Sequence, residues 1–393
     1  MTLRASKPAF NVREKLTELG RRFGLKGSEL AAAETVQEAR EIVSAGRKNM
    51  VINGDMRISQ RYGNTATTIT SGGFVIDRYR CEDNTAGSTT HQQVTDAPPG
   101  FRNSLKVTVT GTDTTVNAGD FHYFRHIIEG NNINHLNWGS SNAKTVTLSF
   151  WVKSSVIGDH GASLWNNAFN RSFPFNYTIN SANVWEHKSI TIPGCPDGTW
   201  ESGTARGINI GFVQNVGSTY QGPPGQWNSS GDAGPTNHVN LTATSGATWY
   251  ITGIQLEVGR NATDFEHRSF GEELALCQRY YEKFSADDGN GGYATFCGGG
   301  KSNNTVIVVE PVFKVPKRAV GATMTWGGSI RFGGVAGVYG ITISNSNNSQ
   351  LGIHGGYVVL VISSNTNPAN GNDGYRLEGN GDPNAYIAFS SEL

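Results

Sequence analysis

From Asn49 onward, apolar and polar residues alternate with a period of two in one segment after another. The clearest runs from Thr145 to Lys153, with Val146, Leu148, Phe150 and Val152 on one face and Thr145, Thr147, Ser149, Trp151 and Lys153 on the other. A period of two over this length specifies a half-buried strand. Comparable patterning predicts strands at 50–52, 74–81, 104–110, 123–128, 185–192, 207–213 and 249–256. Strands at that spacing make two antiparallel sheets packed face to face, a jelly roll over residues 49–268. Within it, residues 194–238 are punctuated by Pro-Asp-Gly, Gly-Pro-Pro-Gly and Ser-Ser-Gly and read as a long loop-like insert.

After the sandwich, Ser269-Phe270-Gly271-Glu272 has capping-box spacing, and Leu274, Cys277 and Tyr281 share a face behind it. This predicts a linking helix over 269–284. Residues 285–393 then return to β patterning at 305–309, 340–344, 357–362 and 385–390, separated by Gly- and Asn-rich turns. A smaller C-terminal β-sandwich is expected there. No repeat at solenoid spacing is visible, which argues against a β-helix.

Residues 1–48 differ from all of this. They contain neither Trp nor Tyr, and carry ten basic against six acidic side chains. Capping boxes at Asn11-Val12-Arg13-Glu14 and Thr35-Val36-Gln37-Glu38 open two short helical patterns, closed by Gly20 and Gly46. Leu16, Leu19 and Phe23, then Val36, Ile42 and Val43, supply the apolar positions. Helices of about ten residues are marginal alone in water, so capped apolar stripes imply an anchor that orders against a partner surface. The expected fold is therefore mainly β: a short helical N-terminal anchor, an antiparallel jelly roll, a linking helix and a smaller β-sandwich.

Composition narrows the function. The 32 basic and 32 acidic residues cancel, leaving no global field to draw in nucleic acid. No apolar stretch is long enough to span a bilayer, and residues 1–10 lack the apolar run of a signal peptide. Cys81, Cys195, Cys277 and Cys297 have no Cys-x-x-Cys spacing, so free thiols in a cytoplasmic fold are expected. Cys297-Gly298-Gly299-Gly300-Lys301-Ser302 resembles a phosphate loop only superficially, because Thr295 stands where the first glycine belongs and a strand follows; it reads as a glycine turn. His122 and His126, four apart in one strand with His135 nearby, are spread by strand geometry over about 13 Å and read as structural. No nucleophile triad or acid pair can be assembled, Glu186, Glu201, Asp197 and Asp232 lying only near loops. No enzyme activity, cofactor or metal is expected. The remaining candidates are aromatic: Trp151 on a strand face opposite Phe150, and Trp200, Tyr220 and Trp227 in the insert, where flat rings could stack on sugars. Their alternative use is to pack loops or a subunit interface.

Four segments add a family resemblance: Asn53-Gly54-Asp55-Met56-Arg57-Ile58, Trp249 to Gly259, Phe265-Glu266-His267-Arg268-Ser269 with Glu273 to Tyr281, and Ala388 to Leu393. With the 144–153 strand they resemble the carbohydrate-binding jelly roll of bacteriophage fibre and minor structural proteins, over roughly two thirds of the chain. The resemblance implies a virion protein made in the host cytoplasm. It would attach to other virion proteins through its N-terminal segment, assemble as a homotrimer and contact host cell-surface polysaccharide. A head fibre or decoration protein, a depolymerase tailspike and a free carbohydrate-binding module are the other members of this set. Such jelly rolls often hold a structural calcium, but Arg57 and Gly253 stand at the positions where its acids would align.

Overall fold

The computed structural model describes residues 47–69, 71–287, 291–303, 306–334, 337–347, 351–364 and 375–393. The chain divides into two units, residues 1–49 and 50–393. The anchor positions Leu16, Leu19, Phe23, Val36, Ile42 and Val43 lie outside the described residues.

Residues 74–258 form the sandwich. Its strands are β1 (Phe74–Ile76), β2 (Tyr79–Asp83), β3 (Ser88–Val94), β4 (Ser104–Gly111), β5 (Phe121–Glu129), β6 (Val146–Ser154), β7 (Gly158–Asn166), β8 (Ser172–Ile179), β9 (Glu186–Ile192), β10 (Arg206–Val216), a short parallel pair β11 (Gln221–Gly222) and β12 (Gly234–Pro235), and β13 (Thr248–Val258). One sheet has the order β1-β2-β5-β10-β7-β8 and the other β3-β4-β13-β6-β9, antiparallel throughout. The alternation of 146–152 performs as expected: Val146, Leu148, Phe150 and Val152 are fully buried. Phe150 meets Phe212 and Tyr177 edge-on between the sheets, at centroid distances of 5.1 and 5.2 Å. Trp249 shares this interior and donates its indole N–H to the Tyr177 hydroxyl at 3.1 Å, which removes the cost of burying both polar groups.

Helix α1 (Phe270–Gln278) begins as the capping box requires, with Ser269 Oγ accepting from the Glu272 amide at 3.2 Å. It stops at Gln278. Tyr281–Ser285, which overlaps the end of the expected helix, is instead strand β14, because each of its residues pairs with one of Tyr386–Ser390. The remaining strands are β15 (Thr295–Asn303), β16 (Val306–Glu310), β17 (Thr323–Gly327), β18 (Ile330–Gly334), β19 (Gly337–Asn347), β20 (Val358–Ser364), β21 (Tyr375–Gly379) and β22 (Tyr386–Ser390). They build a three-stranded sheet, β14-β22-β17, and a closed antiparallel barrel, β15-β16-β20-β19-β18-β21. Cys297–Ser302 lies within β15 rather than in a turn: Gly298, Gly299 and Gly300 pair with Glu310, Val309 and Val308. At Gly299 the neighbouring strand leaves no room for a Cβ, so this glycine serves close strand approach.

Three of the segments that carried the family resemblance, 53–58, 265–281 and 388–393, meet in one buried polar junction beside α1. The Asn53 amide donates to Glu273 Oε1 at 2.6 Å. Arg268 donates to the Val51 carbonyl and to Glu273. Arg78 pairs with Glu392, donates to the Ile127 carbonyl at 2.6 Å and lies 3.5 Å from the Tyr280 ring centre. The Tyr280 hydroxyl and the Arg279 guanidinium both bind Glu129. Lys317 is fully buried against Glu282 and the Gln278 carbonyl, at 2.5 Å each. Buried charges of this kind persist only when paired and hydrogen-bonded, so this junction tolerates little substitution.

Candidate functional site

The outward face of the five-stranded sheet gathers aromatic and charged side chains. Register places its residues in rows across the strands. One row runs Gln92, Lys106, Tyr250, Lys153, and the next carries Thr252, Trp151 and His187. Trp185, just before β9, stands beside the first row with its ring 6.1 Å from Tyr250. Lys153 Nζ lies 4.2 Å from the Tyr250 ring centre and 5.2 Å from that of Trp185. Asp96 joins the group, pairing with Lys153 and accepting from Trp185 Nε1 at 3.1 Å. Partial burial pushes the Asp96 carboxyl up, but the hydrogen bonds from Lys153 and Trp185 outweigh it and hold it below the usual carboxylate range. In the second row the His187 ring is 5.2 Å from Trp151.

Half of this face is covered. Thr147 donates to the Gly259 carbonyl, Thr263 donates to Glu257, and the Glu266 amide donates to Gln255. The 259–266 segment thus seals the polar end, while Trp151, Tyr250, Trp185 and Lys106 stay partly open and Lys153 is buried beneath them. The border is set by Gly253, at a bulge in β13 with φ +64°. A Cβ there would stand 2.7 Å from Phe101 and 3.1 Å from Trp151. Phe101, packed with Phe265 and His267, closes the edge of the open half.

The insert rings behave differently. Trp200 and Trp227 join Trp138 in a cluster of three mutually edge-on indoles, 4.7 to 5.7 Å apart. Every indole N–H in it is consumed by a backbone carbonyl: Trp138 by Lys144, Trp200 by Asp197 and Trp227 by Pro193. Phe173 adds a further edge contact to Trp227. Tyr220 packs edge-on against Phe121 at 5.3 Å. Trp200 and Trp227 thereby pack their loops against the sandwich core, and Tyr220 packs against the smaller cluster of Val213, Val216 and Ala233. Beside Trp227 lies a shallow polar recess of about 390 Å3 lined by Gln221, Gln226, Asn228, Ser230 and Asp232. The Asp232 carboxylate already accepts from Ser172, Asn228 and Ser230.

The other acids near loops are engaged separately. Arg171 grips Asp197 with two bonds of 2.6 and 2.8 Å and holds it below the usual carboxylate range. Glu201 accepts from Asn167. Glu186 accepts from the amides of Asn180 and Ser181 and from Lys188. Next to Asp55, where a calcium would need a second acid, the Arg57 guanidinium supplies the positive charge itself. All four cysteines are free and buried.

Sequence reasoning reached Trp151 by alternation but missed Tyr250, Trp185, Lys106, Lys153 and Asp96. The signal for Tyr250, Lys106 and Lys153 exists only once the β13–β6 and β13–β4 registers are known, and Trp185 and Asp96 join them from outside these strands.

No family model matches the chain, and no curated protein matches it. Among solved structures, it resembles the enzymatically active domain of bacteriophage CBA120 tailspike protein 4 at 14% identity and TM-score 0.29, over 54% of this chain and 21% of that one. It also resembles the family 11 carbohydrate-binding module of the Clostridium thermocellum cellulase Lic26A-Cel5E, at 14% identity and TM-score 0.24, over 51% and 98%. The tandem CBM22 domain of Xyn10C from Paenibacillus barcinonensis matches at 10% identity and TM-score 0.26, over 85% and 100%. The chain therefore spans about a fifth of the tailspike it resembles. At these TM-scores the likenesses carry no argument about this chain, and the jelly-roll sandwich stands on its own strand order.

Proposed function

We propose that this protein is a non-enzymatic glycan-binding subunit of a phage fibre or spike, with the open half of the five-stranded sheet as its binding face. The observation that carries the reading is the rows of Trp151, Tyr250 and Trp185 set among Lys106, Lys153 and Asp96. Aromatic faces accept the C–H side of sugar rings, while ammonium and carboxylate groups take their hydroxyls. Neighbouring rows on one strand are about 6.7 Å apart, so the face offers successive stacking positions to an extended chain rather than a closed pocket to one sugar. The virion setting rests on the sequence resemblance, with residues 1–48 as the attachment segment and a homotrimer supplying avidity.

The test is direct. Full-length protein should adsorb to host cells and to their purified surface polysaccharide without releasing reducing ends. Antibody to the barrel region should label tail fibres in electron micrographs, and deletion of residues 1–48 should leave folded, soluble protein that no longer enters particles. Light scattering should give three times the single-chain 42.2 kDa. Release of reducing ends would make it a depolymerase, label on capsids would make it a head fibre, and failure to bind any host polysaccharide would end the glycan reading.

A further inference from the structure

We propose that Cys81, His91 and His122 form a buried structural site for a borderline-soft transition-metal ion, Zn2+ in the first place, that ties the two sheets of the sandwich together. Cys81 on β2 and His122 on β5 belong to the six-stranded sheet, and His91 on β3 to the edge of the five-stranded one. Cys81 pairs with Phe124 and Asp83 with His122, so Cys81 and His122 are diagonal neighbours on the same inward face. His91 reaches across to them. Each of the three offers one donor atom, all within 4.8 Å of one another, and all three residues are at most 2% exposed.

Two further observations point to a ligand. The buried His91 Nδ1 has no hydrogen-bond partner among the described residues, an unfavourable state in an apolar interior. Its Nε2 is 2.9 Å from the Thr89 hydroxyl, which is also 3.4 Å from His122 Nε2. One hydroxyl thus holds both rings at fixed orientation, as outer partners of metal-bound imidazoles do.

The donor set selects the ion. Two imidazole nitrogens and a thiolate suit Zn2+, whereas Ca2+ and Mg2+ require oxygen ligands. Zn–N bonds of about 2.0–2.1 Å and a Zn–S bond of about 2.3 Å set tetrahedral donors roughly 3.3–3.6 Å apart. The donors therefore close by about an ångström or a little more, within reach of side-chain rotation. On binding, the Cys81 thiol releases its proton to solvent as the S–Zn bond forms, and the neutral imidazoles bind without losing one. Burial already prepares the rings, lowering His91 to about 3 and His122 below its usual value, while it pushes the Cys81 thiol up. All three side chains are buried between the two sheets, so the role is a cross-link rather than catalysis.

The experiment uses the full chain, dialysed against chelator under reducing conditions and titrated with Co2+ and then Zn2+. Expected is about one equivalent of Co2+ per chain with thiolate charge-transfer and tetrahedral d–d absorption, displaced by Zn2+, and a thermal midpoint that rises with either ion. Cys81→Ser should abolish the charge-transfer band, and His91→Gln should lower Zn2+ affinity at least about tenfold. The wild-type spectrum decides even if a variant fails to fold. Absence of the bands and of any thermal shift at stoichiometric metal overturns the proposal, as does Cys81→Ser protein that binds like the wild type.

Discussion

The two aromatic clusters of the sandwich use the same residue types to opposite ends. In the loop cluster, Trp138, Trp200 and Trp227 turn their edges to one another's faces and give every indole N–H to the backbone. On the sheet face, Trp185 gives its N–H to a side chain, Asp96, and the lysines that flank Tyr250 leave a charged margin around partly open rings. A ring whose polar edge is satisfied by backbone and whose faces meet other rings stabilises a loop. A ring held at its edge by a charged side chain, with a face still accessible, is available to a ligand. Exposure alone does not separate the two, since Trp200, Trp227, Trp151 and Tyr250 are all half-buried.

Substitutions sharpen this contrast. Trp227→Ala should have the largest effect, removing contacts with two indoles and Phe173 and leaving the Pro193 carbonyl without its donor. A loss of about 2–4 kcal/mol is expected, toward the lower end of buried aromatic truncations because the ring is half-buried. Denaturant unfolding measures it. A stable variant that fails to bind glycan would reverse the roles of the two clusters.

Trp151→Ala with Tyr250→Ala should do the opposite. Each ring contributes on the order of 1 kcal/mol to a stacked contact, so single-site affinity should fall about tenfold or more and adsorption by an oligomer further still. Unfolding should be little changed. Normal adsorption by this variant would move the binding surface elsewhere.

Gly253→Ala tests the border of the open face. It demands a left-handed backbone of a residue with a Cβ, costing about 1–2 kcal/mol, and drives that Cβ into Phe101 and Trp151. Modest destabilisation together with weakened glycan binding is expected. If only stability changes, the placement of Trp151 does not matter to the ligand.

The smallest effect concerns pH. Burial opposes ionisation of Glu186, but together the hydrogen bonds from Lys188, from the Ser181 and Asn180 amides and from the Asn180 side chain prevail and hold its carboxyl at about 2. Its folded value lies below its unfolded one, so its contribution is present above about pH 4.5 and is lost as pH falls toward 2. The carboxylate stands next to Trp185 in sequence and fixes the turn before β9. Glu186→Gln should therefore show a shallower fall of thermal midpoint between pH 5 and pH 3 than the wild type. Parallel curves would show that the turn does not depend on this charge.

How much was legible in the sequence follows from the range of each interaction. Strand alternation is local, and it placed β4, β5, β6, β10 and β13 within a few residues. β8 alternates cleanly through Phe173, Phe175, Tyr177 and Ile179 and was simply missed, whereas β3 and β7 went unseen because Ser-Thr-Thr-His-Gln-Gln-Val and Gly-Asp-His-Gly-Ala-Ser-Leu-Trp-Asn lack a clean apolar face. Each gains its inward side only from its sheet, as when His91 turns in opposite Val107. The Ser269 cap was read correctly, but not the end of α1, since only pairing with β22 draws Tyr281–Ser285 out of the helix. In the same way Trp151 was visible as an outward residue. Tyr250 and Lys153 became its companions only through register, and Asp96 through the path of a connecting loop.

The junction has a consequence for synthesis. Arg78 and Glu392 are 314 positions apart, and Arg78 is almost completely enclosed. A chain emerging from the ribosome can pair its early strands long before Glu392 exists to neutralise that guanidinium. Until then, closing the wall around Arg78 would trap an uncompensated cation, which is strongly unfavourable. Contacts of such long sequence separation also form slowly. Closure of the wall around Arg78 is thus expected to wait until the segment carrying Glu392 has been made.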